Sequence, residues 1–265
     1  MKIGFIGCGN MAQAIMGGIL KKELCKPEEI IASDALQAAA DKVAAQYKVD
    51  TTTDNVKVAE AADVLILAVK PMYYADVIAQ IKETVTNHQI IISIAPGKTL
   101  LWLTEQFGST DRKIVRTMPN TPALVGEGIT GVCFNAAIKK EDEEKAMAIL
   151  SSFGKAEVVP EHLMDVVVSV SGSSPAYVFM FIEAMADAAV ADGMPRAQAY
   201  TFAAQAVLGS AKMVLETGKH PGELKDMVCS PGGTTIEAVA VLEEKGMRDA
   251  VIKAMRACTK KAKEC

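Results

Sequence analysis

The sequence offers little to a metal site, a disulfide framework or a nucleic-acid surface. Its six cysteines, Cys8, Cys25, Cys133, Cys229, Cys258 and Cys265, contain no C-x-x-C pair and lie far apart, so free thiols in a reducing cytoplasm are expected. The three histidines, His88, His162 and His220, share no ligand spacing with one another or with the cysteines, and no metal is expected. Net charge is −4 with pI about 5.5, and no Lys/Arg block dominates, which argues against a nucleic-acid partner. Lys260, Lys261 and Lys263 sit beside Glu264 on a helix-patterned tail and read as a solvated helix end. Lys2 and the early Gly7 make the N-terminus a strand rather than a signal peptide. The apolar run 176–191 is broken by Glu183 and Asp187, so no membrane span is expected there.

What is present is an ordinary soluble balance. The chain has 265 residues and 28.1 kDa, with 50% hydrophobic and 23% charged residues, enough for two domains and without a disordered tail. A short apolar run at 2–6 ends in Gly7-Cys8-Gly9-Asn10-Met11-Ala12, and Ala14, Ile15, Gly18 and Ile19 follow at helical spacing. This is G-x-G-x-x-A between a first strand and a first helix. Gly7 makes the tight turn, Gly9 admits a pyrophosphate and Ala12 keeps helix and strand close. Strand-like runs follow at 29–34, 63–69, 89–94, 112–118 and 129–134, several of them continuously apolar, as strands buried on both faces of a parallel sheet are. Helical patterns at 76–85, Leu100–Phe107 and 140–153 separate the later strands.

Asp34 stands about twenty residues beyond the glycines, where an acid binds ribose hydroxyls and disfavours a 2′-phosphate. Ser33 is able to accept that phosphate, but no arginine stands beside it, so this feature leaves NADPH and NADH open. Ligands in such folds bind beyond the C-terminal strand ends. Those ends carry Ala68-Val69-Lys70-Pro71, Ala95-Pro96-Gly97 and Met118-Pro119-Asn120-Thr121-Pro122. Lys70 is either an exposed cation or, as expected for a basic residue at a strand end beside a dinucleotide, close to the phosphates or ribose. Asn120 either bonds its own backbone or reaches the nicotinamide edge, and is counted with the substrate set.

From Met164 onward the pattern is helical. Ser173-Ser174-Pro175 reads as an N-cap with proline at the first helical position. The helix after it is apolar almost all round, which predicts a subunit interface. Gly193 ends it, Pro195 starts the next, and Pro221 opens a short third helix. In the last helix Val251, Met255, Cys258 and Ala262 recur at core spacing. Between two of these helices lies Cys229-Ser230-Pro231-Gly232-Gly233-Thr234-Thr235-Ile236. Thr234 with Glu237 predicts a capping box, with free amides at Gly233, Thr234 and Thr235 beside hydroxyls and a helix dipole. That is a receptor for a carboxylate, or else simply a capped turn. No lysine occurs between Ser169 and Arg196, and the loop is the one dense polar cluster of this half.

The assembled stretches resemble the pyrroline-5-carboxylate reductase family over essentially the whole chain. They are Phe5-Ile-Gly-Cys-Gly-Asn-Met-Ala12, 68–71, Met118-Pro-Asn-Thr-Pro-Ala-Leu124, Ser169-Val-Ser-Gly-Ser-Ser-Pro-Ala-Tyr177 and Asp226-Met-Val-Cys-Ser-Pro-Gly-Gly-Thr-Thr-Ile236. The resemblance implies an α/β fold. A Rossmann domain with a mostly parallel sheet at 1–160 precedes an all-helical dimerisation and substrate-binding domain at 161–265. It implies homodimers that assemble into decamers, NADPH as the usual reductant and NADH as a second. By position, Ile6, Gly7, Cys8, Gly9, Asn10, Met11, Ser33, Asn55, Ala68, Val69, Lys70 and Pro71 would contact the cofactor, joined by Asp34, Ala95 and Gly97 from the strand-end argument. Ser230, Gly232, Gly233, Thr234 and Thr235 would hold the substrate carboxylate, with the Thr235 hydroxyl on the ring nitrogen as the catalytic group. A β-hydroxyacid dehydrogenase shares the layout but uses a lysine on its long second-domain helix, which this chain lacks. A dinucleotide-sensing scaffold would have no use for the anion loop.

Overall fold

The computed structural model describes residues 1–264, so of the six cysteines only Cys265 lies outside it; the other five are free thiols. Eight strands form one sheet: β1 (Ile3–Ile6), β2 (Ile30–Ser33), β3 (Asp50–Thr52), β4 (Val64–Leu67), β5 (Ile90–Ser93), β6 (Lys113–Met118), β7 (Gly128–Phe134) and β8 (Gly154–Val158). Their order is β3-β2-β1-β4-β5-β6-β7-β8, parallel throughout except between β6 and β7. The first six follow the doubly wound order, whose direction reverses between β1 and β4, where ligands bind in such sheets.

Both faces of the sheet are covered. In β4, Val64 and Ile66 join one core while Leu65 and Leu67 join the other, and β5 divides Ile90 and Ile92 from Ile91 in the same way. The first core packs under α1 (Asn10–Lys21), α2 (Gln37–Tyr47) and α6 (Lys140–Leu150). The second lies under α3 (Asn55–Ala61), α4 (Tyr74–Ile81) and α5 (Leu100–Phe107). The helical pattern at 140–153 resolves into α6 and a closing 3-10 turn, Ser151–Phe153.

The chain divides into two compact units, Met1–Ser173 together with the residues from Cys258 onward, and Ser174–Ala257. Ser174, expected as the N-cap ahead of Pro175, is instead the first residue of the next helix. After α7 (Met164–Val167) a π-helical turn, Val168–Gly172, carries the chain into α8 (Ser174–Ala191), and Ser173 itself has helical angles, φ −99° and ψ −24°. A wider turn suits this place because Pro175 has no N–H to donate one turn back. Ser169 and Ser173 accept hydrogen bonds from Thr259 Oγ1 (2.8 Å) and Cys258 Sγ (3.3 Å), fastening the C-terminal segment.

The second unit continues with α9 (Arg196–Thr217), α10 (Pro221–Val228) and α11 (Thr234–Glu244), and α12 (Met247–Ala262) follows. Its only fully buried hydrophobic residues are Ala186, Ala199 and Ala203. The expected core stripe on α12 is therefore no core in this chain alone: Val251 is exposed, and Met255, Cys258 and Ala262 are half-buried. An open groove of about 500 Å³ between α10, α11 and α12 is lined by Leu242, Met247, Val251 and Ile252 with Lys225 and Arg248. The unit has too few interior positions to cover its own apolar surface.

Candidate cofactor and substrate sites

The glycine turn after β1 is built for close approach. Gly7 has φ +105°, and a Cβ there would lie 2.7 Å from the Ala68 carbonyl oxygen, so only glycine lets this turn lie against the end of β4. The Gly7 amide donates to Ser33 O at 2.7 Å, tying the turn to the end of β2. At Gly9 a Cβ would meet nothing within 4 Å, so the peptide faces open space. Gly9 is also the N-cap of α1, which has no side-chain cap and no acid in its first turn. The amides at Asn10, Met11 and Ala12 therefore keep their positive end free for an anion. Ala12 is fully buried against the sheet. These residues fit the diphosphate of a dinucleotide.

The C-terminal end of β2 is organised by side-chain relays. Asp34 accepts from the Cys8 amide through Oδ2 (2.9 Å) and from the Leu36 amide through Oδ1 (3.0 Å), so one carboxylate spans the two loops. Ser33 is fully buried, and its hydroxyl donates to Asn55 Oδ1 at 2.7 Å. Asn55 Nδ2 donates in turn to Gln80 Oε1 at 2.8 Å. The Ser33 side chain thus lies behind Asn55 and orients it, and Asn55 itself is only half-buried. Lys70 is exposed beyond β4, Ala68 and Val69 are half-buried, and Pro71 begins a 3-10 turn. Ala95 is buried at the end of β5, while Gly97 is half-buried in a left-handed turn at φ +76°. Ile6 is buried at the end of β1. Burial, with Asp34 adding to it, pushes the Cys8 thiol up to about 12, so Cys8 is a neutral donor to Ser33 O rather than a reactive thiolate.

Asn120 bonds backbone, but not its own immediate neighbours. Its Oδ1 accepts from the Ile129 amide (2.9 Å) and its Nδ2 donates to Ser171 O (3.1 Å). Ser171 is the residue one helical turn before Pro175, so Asn120 satisfies a carbonyl that the proline leaves without a helical donor. Glu161 was not singled out in the sequence. Its Oε1 accepts from the Leu100 amide (2.7 Å) and from Arg116 Nη1 (2.9 Å), fixing the start of α5 beside the buried Arg116. The partners lie 61 and 45 positions apart, so no local pattern could have revealed them.

In the helical unit, Cys229 ends α10 and the Gly233 amide donates to Ser230 O at 3.0 Å. Gly232 takes the left-handed conformation, φ +65°, and Gly233 becomes the N-cap of α11 without any side-chain cap. The expected capping box from Thr234 to Glu237 is therefore absent. Thr234 is already the first helical residue, because the turn at Gly232 starts the helix one position early. The Gly233 amide is used inside the turn, and the free donors move to Thr234, Thr235 and Ile236. A capping box would have consumed them. Their freedom leaves the turn able to receive an anion, and the loop carries the hydroxyls of Ser230, Thr234 and the half-buried Thr235.

Fold and sites together define a dinucleotide-dependent oxidoreductase with a helical second domain. The family described as "NADP oxidoreductase coenzyme F420-dependent" matches residues 2–97, and "Pyrroline-5-carboxylate reductase dimerisation" matches residues 161–265. A pyrroline-5-carboxylate reductase of Escherichia coli is 55% identical, covering 99% of this chain and 97% of that protein. One from Methanosarcina acetivorans is 45% identical, covering 99% and 97%. The solved Plasmodium falciparum pyrroline carboxylate reductase with NADP bound superposes with TM-score 0.90 at 31% identity, covering 100% of this chain and 97% of that one. The chain belongs to the pyrroline-5-carboxylate reductase family.

Proposed function

We infer that this chain reduces 1-pyrroline-5-carboxylate to proline, the last step of proline biosynthesis, with NADPH as reductant and NADH as a second choice. The observation that carries this reading is the turn at 229–235, which leaves the first amides of α11 uncapped in a chain of this family. Residues 1–160 act as the cofactor domain and 161–265 as the dimerisation and substrate domain. Gly7, Gly9 and the start of α1 hold the diphosphate. Asp34 and Asn55 border the ribose, with Ser33 behind Asn55, and the loops at 68–71 and 95–97 line the cleft.

Reduced nicotinamide supplies the hydride. The chain's own residues bind and orient the imine. Ser230 and the amides of the turn at 232–236 hold the carboxylate, and the Thr235 hydroxyl holds the ring nitrogen. Reduction adds a hydride to C5 and a proton to nitrogen. A protonated imine is already electrophilic, so positioning supplies most of the rate and no strong general acid is needed. Asn120, with both ends engaged by backbone, shapes the strand-end loop, and its remaining amide hydrogen is what it has to offer the substrate.

The chain works as a homodimer, and dimers associate into a decamer. By length and composition Glu161–Ala191 is long and apolar enough to cross a bilayer. Glu183 and Asp187 lie one turn apart in it, and the dimerisation family covers the same residues, so its apolar surface faces protein. The enzyme is cytoplasmic, with reduced thiols.

The test is loss of reduced-nicotinamide absorbance on adding pyrroline-5-carboxylate, run with NADPH and NADH in parallel. Thr235→Ala is expected to lower kcat by about 10- to 100-fold. Unchanged kcat with a raised KM would make Thr235 a binding group only. Cofactor binding without imine turnover in the wild type would support the scaffold reading instead.

A further inference from the structure

Tyr74 is a fully buried polar side chain that the sites above do not use. It is the first residue of α4 and packs in the core that contains Leu67, Ile78 and Ile91. Its hydroxyl donates to Leu67 O at 2.5 Å and accepts from Ser93 Oγ at 3.3 Å. Ser93 O in turn accepts from Thr117 Oγ1 at 2.9 Å. Leu67, Ser93 and Thr117 stand at or near the C-terminal ends of three adjacent strands, β4, β5 and β6. The backbone ladder is loosening there: Ile94 N reaches Leu67 O only at 3.4 Å. The phenol therefore enters where β4 and β5 part. One oxygen joins the peptides that lead into Ala68-Val69-Lys70-Pro71 and Ala95-Pro96-Gly97.

We propose that Tyr74 is a positioning residue for the dinucleotide cleft, its buried hydroxyl setting the separation of the loops after β4 and β5. The proposal rests on the reading that those two loops line the cofactor. A buried hydroxyl keeps a fixed place only while its partners are satisfied, and losing it takes the acceptor from Ser93 Oγ and leaves Leu67 O to the long bond from Ile94 N. Burial also pushes the phenol well above its usual range, so it stays protonated and donating at neutral pH.

The experiment compares wild type, Tyr74→Phe, Ser93→Ala and Ile78→Val as full-length enzymes. Ile78 is fully buried on the same helix but touches neither loop in the hydrogen-bond network, and its variant removes one methyl from the same core. The readouts are the NADPH Kd from nicotinamide fluorescence in the absence of imine, the KM for NADPH, kcat, and Tm. Tyr74→Phe should raise Kd and KM about fivefold with kcat within about twofold, and Ser93→Ala should raise both about twofold. Ile78→Val should lower Tm and leave Kd unchanged. If Tyr74→Phe lowers Tm but leaves Kd unchanged, or if Ile78→Val weakens NADPH equally, the hydroxyl is a core group only. Should Tyr74→Phe fail to fold, an unchanged Kd in Ser93→Ala overturns the proposal. Wild-type protein that binds no NADPH would remove the cofactor reading itself, a separate outcome visible before any variant is made.

Discussion

Ile66 in β4 and Phe179 in α8 both belong to long apolar runs, yet Ile66 is fully buried and Phe179 is 62% exposed. The contrast extends to the units that hold them. The sheet-bearing unit sandwiches its strands between two helical layers, and its apolar residues find partners within one chain. The helical unit buries three alanines and leaves Phe179, Met180, Phe202 and Leu208 open. A sheet with helices on both faces closes its own interior. A few long helices, apolar on all sides, close only against another copy. The helical half therefore has apolar surface that oligomerisation can cover, and the sheet-bearing half closes its core within one chain.

The sharpest way to break the comparison is to charge the open face. Phe179→Asp with Met180→Asp should convert the oligomer to monomers by light scattering and lower stability by roughly 3 kcal/mol or more per protomer. A doubly substituted protein that keeps its oligomeric mass would show that this face does not carry the interface. The next effect belongs to the sheet-bearing unit alone. Gly7→Ala places a Cβ at φ +105° against the Ala68 carbonyl and should weaken NADPH at least about tenfold while the protein stays oligomeric. Loss of the oligomer in that variant would mean that the two halves are not independent.

How much of this was legible beforehand follows the same division. β4 and β5 announced themselves as the continuous apolar runs that burial on both faces demands, and β1, β2, β6 and β7 were read from shorter apolar stretches around them. Two edge strands were not. β3 is Asp-Thr-Thr, and β8 is half-exposed with Lys155 and Glu157, so neither carries a burial signal. The glycine turn was readable because Gly7 and Gly9 answer steric demands that no other residue meets. The relays Ser33–Asn55–Gln80 and Tyr74–Ser93–Thr117 were not, since each joins residues that only the sheet order brings together. At the start of α11 a correct motif suggested the wrong cap: Thr234 and Glu237 have the right spacing, but Gly232 turns the chain one residue early. The apolar helix α8 revealed that it needs cover, and the dimerisation family matches the same residues.

The smallest effect tests whether ion pairs follow the same division. Asp142 at the start of α6 is buried, accepts from Lys113 Nζ at 2.9 Å and from the Lys139 amide at 3.2 Å. Burial alone would raise its pKa, but these donors outweigh it and hold the carboxyl below the usual range. A carboxyl with a depressed folded pKa adds stability above the unfolded pKa of about 3.9, and loses that contribution as pH falls through the folded value. Asp142→Asn should therefore cost about 1 kcal/mol in urea unfolding at pH 7, with the gap to wild type closing as pH drops below about 4. In the helical unit the Lys212–Glu216 pair spans 3.4 Å with both side chains 66% exposed, and Glu216→Gln should change stability by less than about 0.5 kcal/mol at either pH. Equal costs for the two variants would mean that enclosure does not set the worth of these pairs. A gap that persists unchanged at pH 3 would mean that Asp142 acts through packing rather than charge.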